Sequence, residues 1–288
     1  MMDFTHYIGI DWSGAKGNRH KGLAVAVADT GGNISIIAPP MGEKYWSRFE
    51  LAAVIRDGFG LAQSDKILIG IDGAFGLPHA DKNSYLPGMD AITAPDIWPH
   101  FDAICPLDPD FYAGGVVETY RDYVHLPFIG KGKQYERRLR VSEDICIQGG
   151  IGPCESVYHL IGPSQVGMSA FSIMRMLAWL KEEMAGDLSV WPFDPHLGAV
   201  TMVEIYAALF AKLGGHKGKI RTRAQLDDVL KALDASFNGD LDMKNDHQSD
   251  AIITAAGLRF IVRDKKYWQP AKMSAKIAAT EGWIFGVA

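Results

Sequence analysis

Near its start the chain runs in short apolar segments of strand length. Residues 6–11, 22–29 and 33–38 read as strands, and Thr30-Gly31-Gly32 supplies a tight turn between the last two. This predicts an antiparallel meander. Residues 43–60 change to helical spacing, with Trp46, Phe49, Ala53 and Arg56 on one side, and the apolar run 67–71 follows as a buried strand. A helix between two strands implies a right-handed crossover and parallel pairing.

From about Pro78 to Pro163 the periodicity dissolves into Pro-, Gly- and aromatic-rich sequence. Loops of that length in compact domains serve as lids or insertions. Regular spacing returns with a helix at 167–185, strands at 188–191 and 200–206, and helices at 207–213, 223–237 and 246–263. A short strand at 283–285 closes the pattern. The expected fold class is therefore α/β, a mixed sheet of antiparallel meander plus parallel strands flanked by helices. Residues 1–78 and 164–288 would form the core and 79–163 an insertion or cap over the active-site edge. The aromatic residues of that insertion, Trp98, Phe101, Phe111 and Tyr112, would either stack bases or pack a small core of their own.

Composition narrows the function classes. The chain has 288 residues, 48% of them hydrophobic and 22% charged, enough to bury a full core. No apolar run reaches the roughly 18 residues of a membrane span, and a secretory leader pattern is lacking, so a cytoplasmic protein without membrane partners is expected. The three cysteines form no CxxC pair, which disfavours a disulfide framework or zinc ribbon. A net charge of -5 argues against non-specific coating of nucleic acid. Two basic clusters remain, Lys131 to Arg140 and Lys212 to Arg223, each readable as a solvated face or a phosphate-binding one. The sequence carries no signal for oligomeric state.

The candidate chemistry is carboxylate chemistry. The strands 6–11 and 67–71 both lead into Gly-Ile-Asp, and side chains alternate across a strand, so Gly9 shares a face with Asp11 and Gly70 with Asp72. Parallel neighbours would set Asp11 and Asp72 side by side at their carboxyl ends, where open α/β sheets place ligands. Glu204 lies among apolar residues of the strand 200–206 and needs a partner if buried. Asn245-Asp246-His247-Gln248-Ser249-Asp250 opens the helix that continues with the stripe Ile253, Ala256, Gly257 and Phe260, so Asp250 should face what the stripe faces, with Asp246 one turn before it. Like charges so close raise one another's pKa, and a divalent cation removes that cost. All-oxygen donors without a His/Cys cluster suit Mg2+ or Mn2+ better than zinc. Each acid alone also has a structural reading as a turn or helix cap, and His247 reads as an outer residue rather than a ligand.

At these residues the chain resembles the family described as domain of unknown function 429, predicted nucleases related to RNase H and RuvC-type resolvases. The motifs are Gly9-Ile10-Asp11-Trp12-Ser13-Gly14, Gly70-Ile71-Asp72-Gly73, Val203-Glu204-Ile205-Tyr206, Asp246-His247-Gln248-Ser249-Asp250-Ala251 and Glu281-Gly282-Trp283-Ile284-Phe285-Gly286. Ala207 stands where family members often have proline. The resemblance implies an RNase H-like fold, with acids of the first strand, fourth strand and last helix holding metal, which here are Asp11, Asp72 and Asp250.

Metal-dependent phosphodiester hydrolysis follows as the leading expectation, with two cations about 4 Å apart. Asp11 would bridge them, Asp72 and Glu204 would complete one shell, and Asp250, with Asp246 nearby, the other. Lys16, Lys217, Lys219 and Arg221 are candidates to neutralise phosphate on a nucleic acid or small phosphoester. The alternatives are a nucleotide-dependent phosphotransferase of the sugar-kinase, actin and Hsp70 superfamily, or a nucleic-acid-binding module that has lost catalysis. Against the phosphotransferase, those proteins duplicate the core, and this chain has one copy of the meander.

Overall fold

A computed structural model describes residues 4–126, 130–160, 166–243 and 246–288. Asn245, the first residue of the helix-opening motif, and residues 161–163 at the end of the expected insertion lie outside them. Strands β1 (His6–Asp11), β2 (Ala24–Asp29) and β3 (Asn33–Ile36) form the meander, and helix α1 (Arg48–Arg56) leads to β4 (Ile67–Asp72). After β4 come helices α2 (Ala94–Ala103) and α3 (Gly114–Thr119), the hairpin of β5 (His125–Leu126) and β6 (Gly130–Lys131), and α4 (Val141–Gln148). Helix α5 (Gly167–Glu183) precedes β7 (Leu188–Trp191) and β8 (Val200–Ile205). The chain ends with α6 (Ala207–Leu213), α7 (Arg223–Ala232), β9 (Ser236–Phe237), α8 (His247–Ile261), α9 (Lys265–Trp268) and α10 (Ala275–Glu281).

The main sheet has seven strands in the order β7-β8-β4-β1-β2-β3-β9. Strands β1, β2 and β3 pair antiparallel, while β4, β8 and β7 run parallel to β1, so the protein is α/β with a mixed sheet flanked by helices. The expected parallel pairing of the two Gly-Ile-Asp strands is present in register, His6 opposite Ile67 through Asp11 opposite Asp72. No helix among the described residues is long and apolar enough to cross a membrane.

Each face of the sheet carries its own apolar cluster. Tyr7, Ala26, Leu68, Val203 and Ile205 pack with α6, α7 and α8. Ile8, Ile10, Ile69, Ile71 and Met202 pack on the other face with α1, α2 and α5. The parity of each strand assigns its side chains to one cluster or the other.

Several elements depart from the periodicity. The first helix is shorter than 43–60, because Ser47 closes a capping box with Glu50 and holds the start at Arg48. Helix α7 stops before 237, where Asp234 adopts a φ of 54° and releases the chain into β9, which pairs with β3. Residues 283–285 form no strand. Gly282 and Gly286 turn the backbone at φ of 71° and 101°; Phe285 N donates to Glu204 O at 2.8 Å, and Val287 N to Ile284 O at 3.1 Å.

The region 79–163 is more regular than its composition suggests. A Thr93–Asp96 capping box starts α2, although Pro99 lies inside that helix. Trp98 is 2% exposed and donates from Nε1 to the Phe75 carbonyl at 2.8 Å, and Phe101 is fully buried against Phe171. Phe111 is buried, and Tyr112 packs half-buried against the same cluster. These aromatic residues fill the main core of that sheet face, which removes them as base-stacking platforms.

Candidate active site

Two glycines bring the site together. Gly9 and Gly70 are partners in the β1–β4 register, and both face α8. A Cβ at Gly9 would fall on the Ala251 carbonyl, and one at Gly70 would press on Leu258 and Thr254. The bare backbone therefore lets α8 lie directly on the two strands. Two residues further along each strand, on the same face, stand Asp11 and Asp72. Asp250 lies in the first turn of α8, one residue before the Ala251 that sits on Gly9. The repeated Gly-Ile-Asp is thus a docking groove followed by an acid.

The electrostatics show that the three aspartates are neighbours. Burial pushes the Asp72 carboxyl well above its ordinary range, and the charges of Asp11 and Asp250 push it further. Asp250 is raised to about 7 by burial, then by Asp11 and Asp246. Asp11 is also raised by burial, against the pull of a hydrogen bond from His247, whose Nδ1 lies 2.7 Å from Asp11 Oδ2. The same contact raises His247. Asp246, the residue before α8, is instead lowered, because its ion pair with Lys219 outweighs its burial.

Glu204 stands differently from the aspartates. Parallel pairing sets Ile71 opposite Glu204 and Asp72 opposite Ile205, so Glu204 points to the Met202 face and not to that of Asp72. A one-residue offset in register reverses the side of every residue in a strand. On its own face Glu204 has a resident cation: Arg140 grips both carboxylate oxygens, Nη1 at 2.7 Å, and Phe75 N donates to Oε2 at 3.1 Å. The pair is 1% and 3% exposed. Glu143 holds the same guanidinium, accepting from Nε at 2.9 Å. Burial alone would lower Arg140, yet Glu143 and Glu204 hold it well above the ordinary arginine range. Glu204 also lines the cavity that has Asp72 and Asp250 in its wall, and its charge adds to the rise of the Asp72 carboxyl.

The cationic candidates also separate. Lys16 is exposed on the loop after β1, whose carbonyls of Ser13 and Ala15 are held by Arg48 Nη1 at 2.7 and 3.0 Å. Lys217 and Lys219 line a cavity of about 570 Å³ that also has Asp72 and Asp250 in its wall. Lys212 borders it too, but donates to the Gly149 and Gly150 carbonyls at 2.9 and 3.0 Å. Arg221 is exposed outside the described wall. In the other basic cluster Arg138 and Arg140 are buried in ion pairs with Asp81 and Glu204, Arg137 pairs with Glu155 at the surface, and Lys131 and Lys133 are exposed.

His247 is the contact that sequence reasoning placed only at the margin, although its position three residues before Asp250 puts it on the strand side of α8. Arg140 carried no signal beyond membership of a basic run. Among the described residues no group of three or more His, Cys, Asp or Glu is disposed to hold a metal ion as it stands. Asp11, Asp72 and Asp250 are oxygen donors of the kind hard cations take, and burial makes each costly to ionise. Comparison with protein-family models, curated proteins and solved structures finds no match to this chain.

Proposed function

We propose that the protein is a divalent-metal-dependent phosphodiester hydrolase of RNase H-like fold, with Asp11, Asp72 and Asp250 as its metal-holding acids. The observation that carries this reading is the in-register pairing of Asp11 with Asp72 beneath the first turn of α8. The resemblance to the domain of unknown function 429 family implies acids on the first strand, the fourth strand and the last helix; Asp11 and Asp72 end β1 and β4, and Asp250 lies on α8, the last long helix, with the short α9 and α10 after it. Asp246 borders the group but is neutralised by Lys219.

Mg2+ or Mn2+ bound there would supply the positive charge that lets all three carboxylates ionise and that neutralises a phosphoryl group. His247 fixes the orientation of Asp11 by its hydrogen bond. Lys217 and Lys219 place cationic charge on the rim from which a phosphate would enter. Water adds at phosphorus, the P–O bond to the leaving group breaks, and the departing oxygen takes up a proton.

A panel of single-stranded, duplex and branched DNA and RNA, together with small phosphodiesters, tests the reading. At least one substrate should be cleaved in manganese, and both EDTA and Asp250→Asn should reduce the rate by about 100-fold or more. Cleavage that survives Asp250→Asn and Asp11→Asn alike would place the activity elsewhere. Tight ATP binding without hydrolysis of any phosphodiester would favour a phosphotransferase.

A further inference from the structure

From the cavity beside Asp72 and Asp250 we infer that this site takes one nucleotide-sized phosphoester at a time, not a duplex. The inference rests on the hydrolase reading and names its substrate class. Three observations carry it. The cavity measures about 570 Å³, within the roughly 300–1,000 Å³ of small-ligand sites, and a double helix cannot enter it. Its described wall includes α6, the segment 150–155 and the loop 216–220.

The charge distribution points the same way. Duplex binding draws its affinity from many phosphate contacts, whereas this chain carries a net charge of -5 and has Arg138 and Arg140 of its other basic cluster buried in ion pairs. On the cavity wall Lys217 is exposed and can meet a single phosphate group, and Lys219, paired with Asp246, lies within electrostatic reach of Asp11 and Asp250. Beside Arg140, Glu143, Glu155, Glu204 and His216 the wall has an apolar stretch that includes Ala208, Ile220, Ile253 and Ile284, a surface for a flat, weakly polar group such as a nucleobase. Phosphate between the acids and lysines, and base against the apolar wall, is the arrangement this lining accommodates.

Calorimetric titration with thymidine 5′-monophosphate in manganese tests it, beside hydrolysis of the p-nitrophenyl ester of that nucleotide and of linear single-stranded, circular single-stranded and duplex DNA. Binding should occur, the nucleotide ester should be hydrolysed faster than any duplex, and cutting of linear but not circular strands would show that a strand end is also accepted. Ala208→Trp, which fills the cavity, should weaken nucleotide binding by about tenfold or more while the melting response to manganese persists. Lys217→Ala, on an exposed side chain that leaves packing untouched, should weaken it several-fold. Duplex cleavage that depends on Asp250 without nucleotide binding would overturn this inference and leave the hydrolase reading standing. Nucleotide binding indifferent to both substitutions would likewise overturn it. Nucleotide binding lost on Ala208→Trp, with no phosphoester hydrolysed, would uphold the cavity and overturn the hydrolase.

Discussion

Two sets of three buried or half-buried acids differ in how their charge is met: Glu204 and Glu143 share an arginine, whereas among Asp11, Asp72 and Asp250 the side-chain partner is His247, on Asp11. Glu204 and Glu143 close on Arg140, and Glu281 accepts from the main-chain nitrogens of His79, Ala80 and Val141 at 2.7, 2.7 and 2.8 Å. Those contacts tie the segment 79–143 to β8 and to the end of α10. Asp11, Asp72 and Asp250 have no such arginine, and their carboxyls are all raised. A buried acid with a resident cation is part of the scaffold. Acids raised by burial and by one another's charge in a cavity wall are candidates for a functional site.

The largest expected effect separates the two sets through the scaffold. Arg140→Met leaves Glu204 and Glu143 without their cation in the core, and urea unfolding should show a loss of about 3–5 kcal/mol. A loss below about 1 kcal/mol would mean that the glutamates are not held as charges. A smaller effect is expected from pH. Asp250 is raised to about 7 from an ordinary 3.8, so the folded state binds the proton more tightly than the unfolded state. Stability of the metal-free protein should therefore fall as pH rises from about 4 through 7. Asp250→Asn should flatten that slope, which thermal unfolding in EDTA at pH 5 and pH 8 would detect. An unchanged slope would show that Asp250 ionises freely.

Much of the aspartate site was legible because its determinants are local. Gly-Ile-Asp occurs twice on segments of strand character, and alternation alone assigns glycine and acid to one face. The stripe behind Asp250 likewise specifies which side of α8 packs. The face on which Glu204 stands was not legible, because it depends on how β8 registers against β4, a pairing between segments far apart in the chain that no local pattern encodes. Its true partner, Arg140, comes from a segment without sustained periodicity. Helix α2 was legible in principle from Thr93, Pro95 and Asp96, a start signal masked by the prolines around it. The pairs in β9 and the turn at 283–285 are too short for periodicity to decide.

The division between the two acid sets is tested most directly by manganese binding itself, followed as loss of the free-ion electron paramagnetic resonance signal. Wild-type protein should bind manganese. Glu204→Gln, if folded, should bind it with affinity within about threefold of wild type, whereas Asp11→Asn combined with Asp72→Asn should abolish binding. Manganese binding that survives the double aspartate substitution, or that disappears on Glu204→Gln while the fold persists, would contradict the assignment of the metal to the aspartate face.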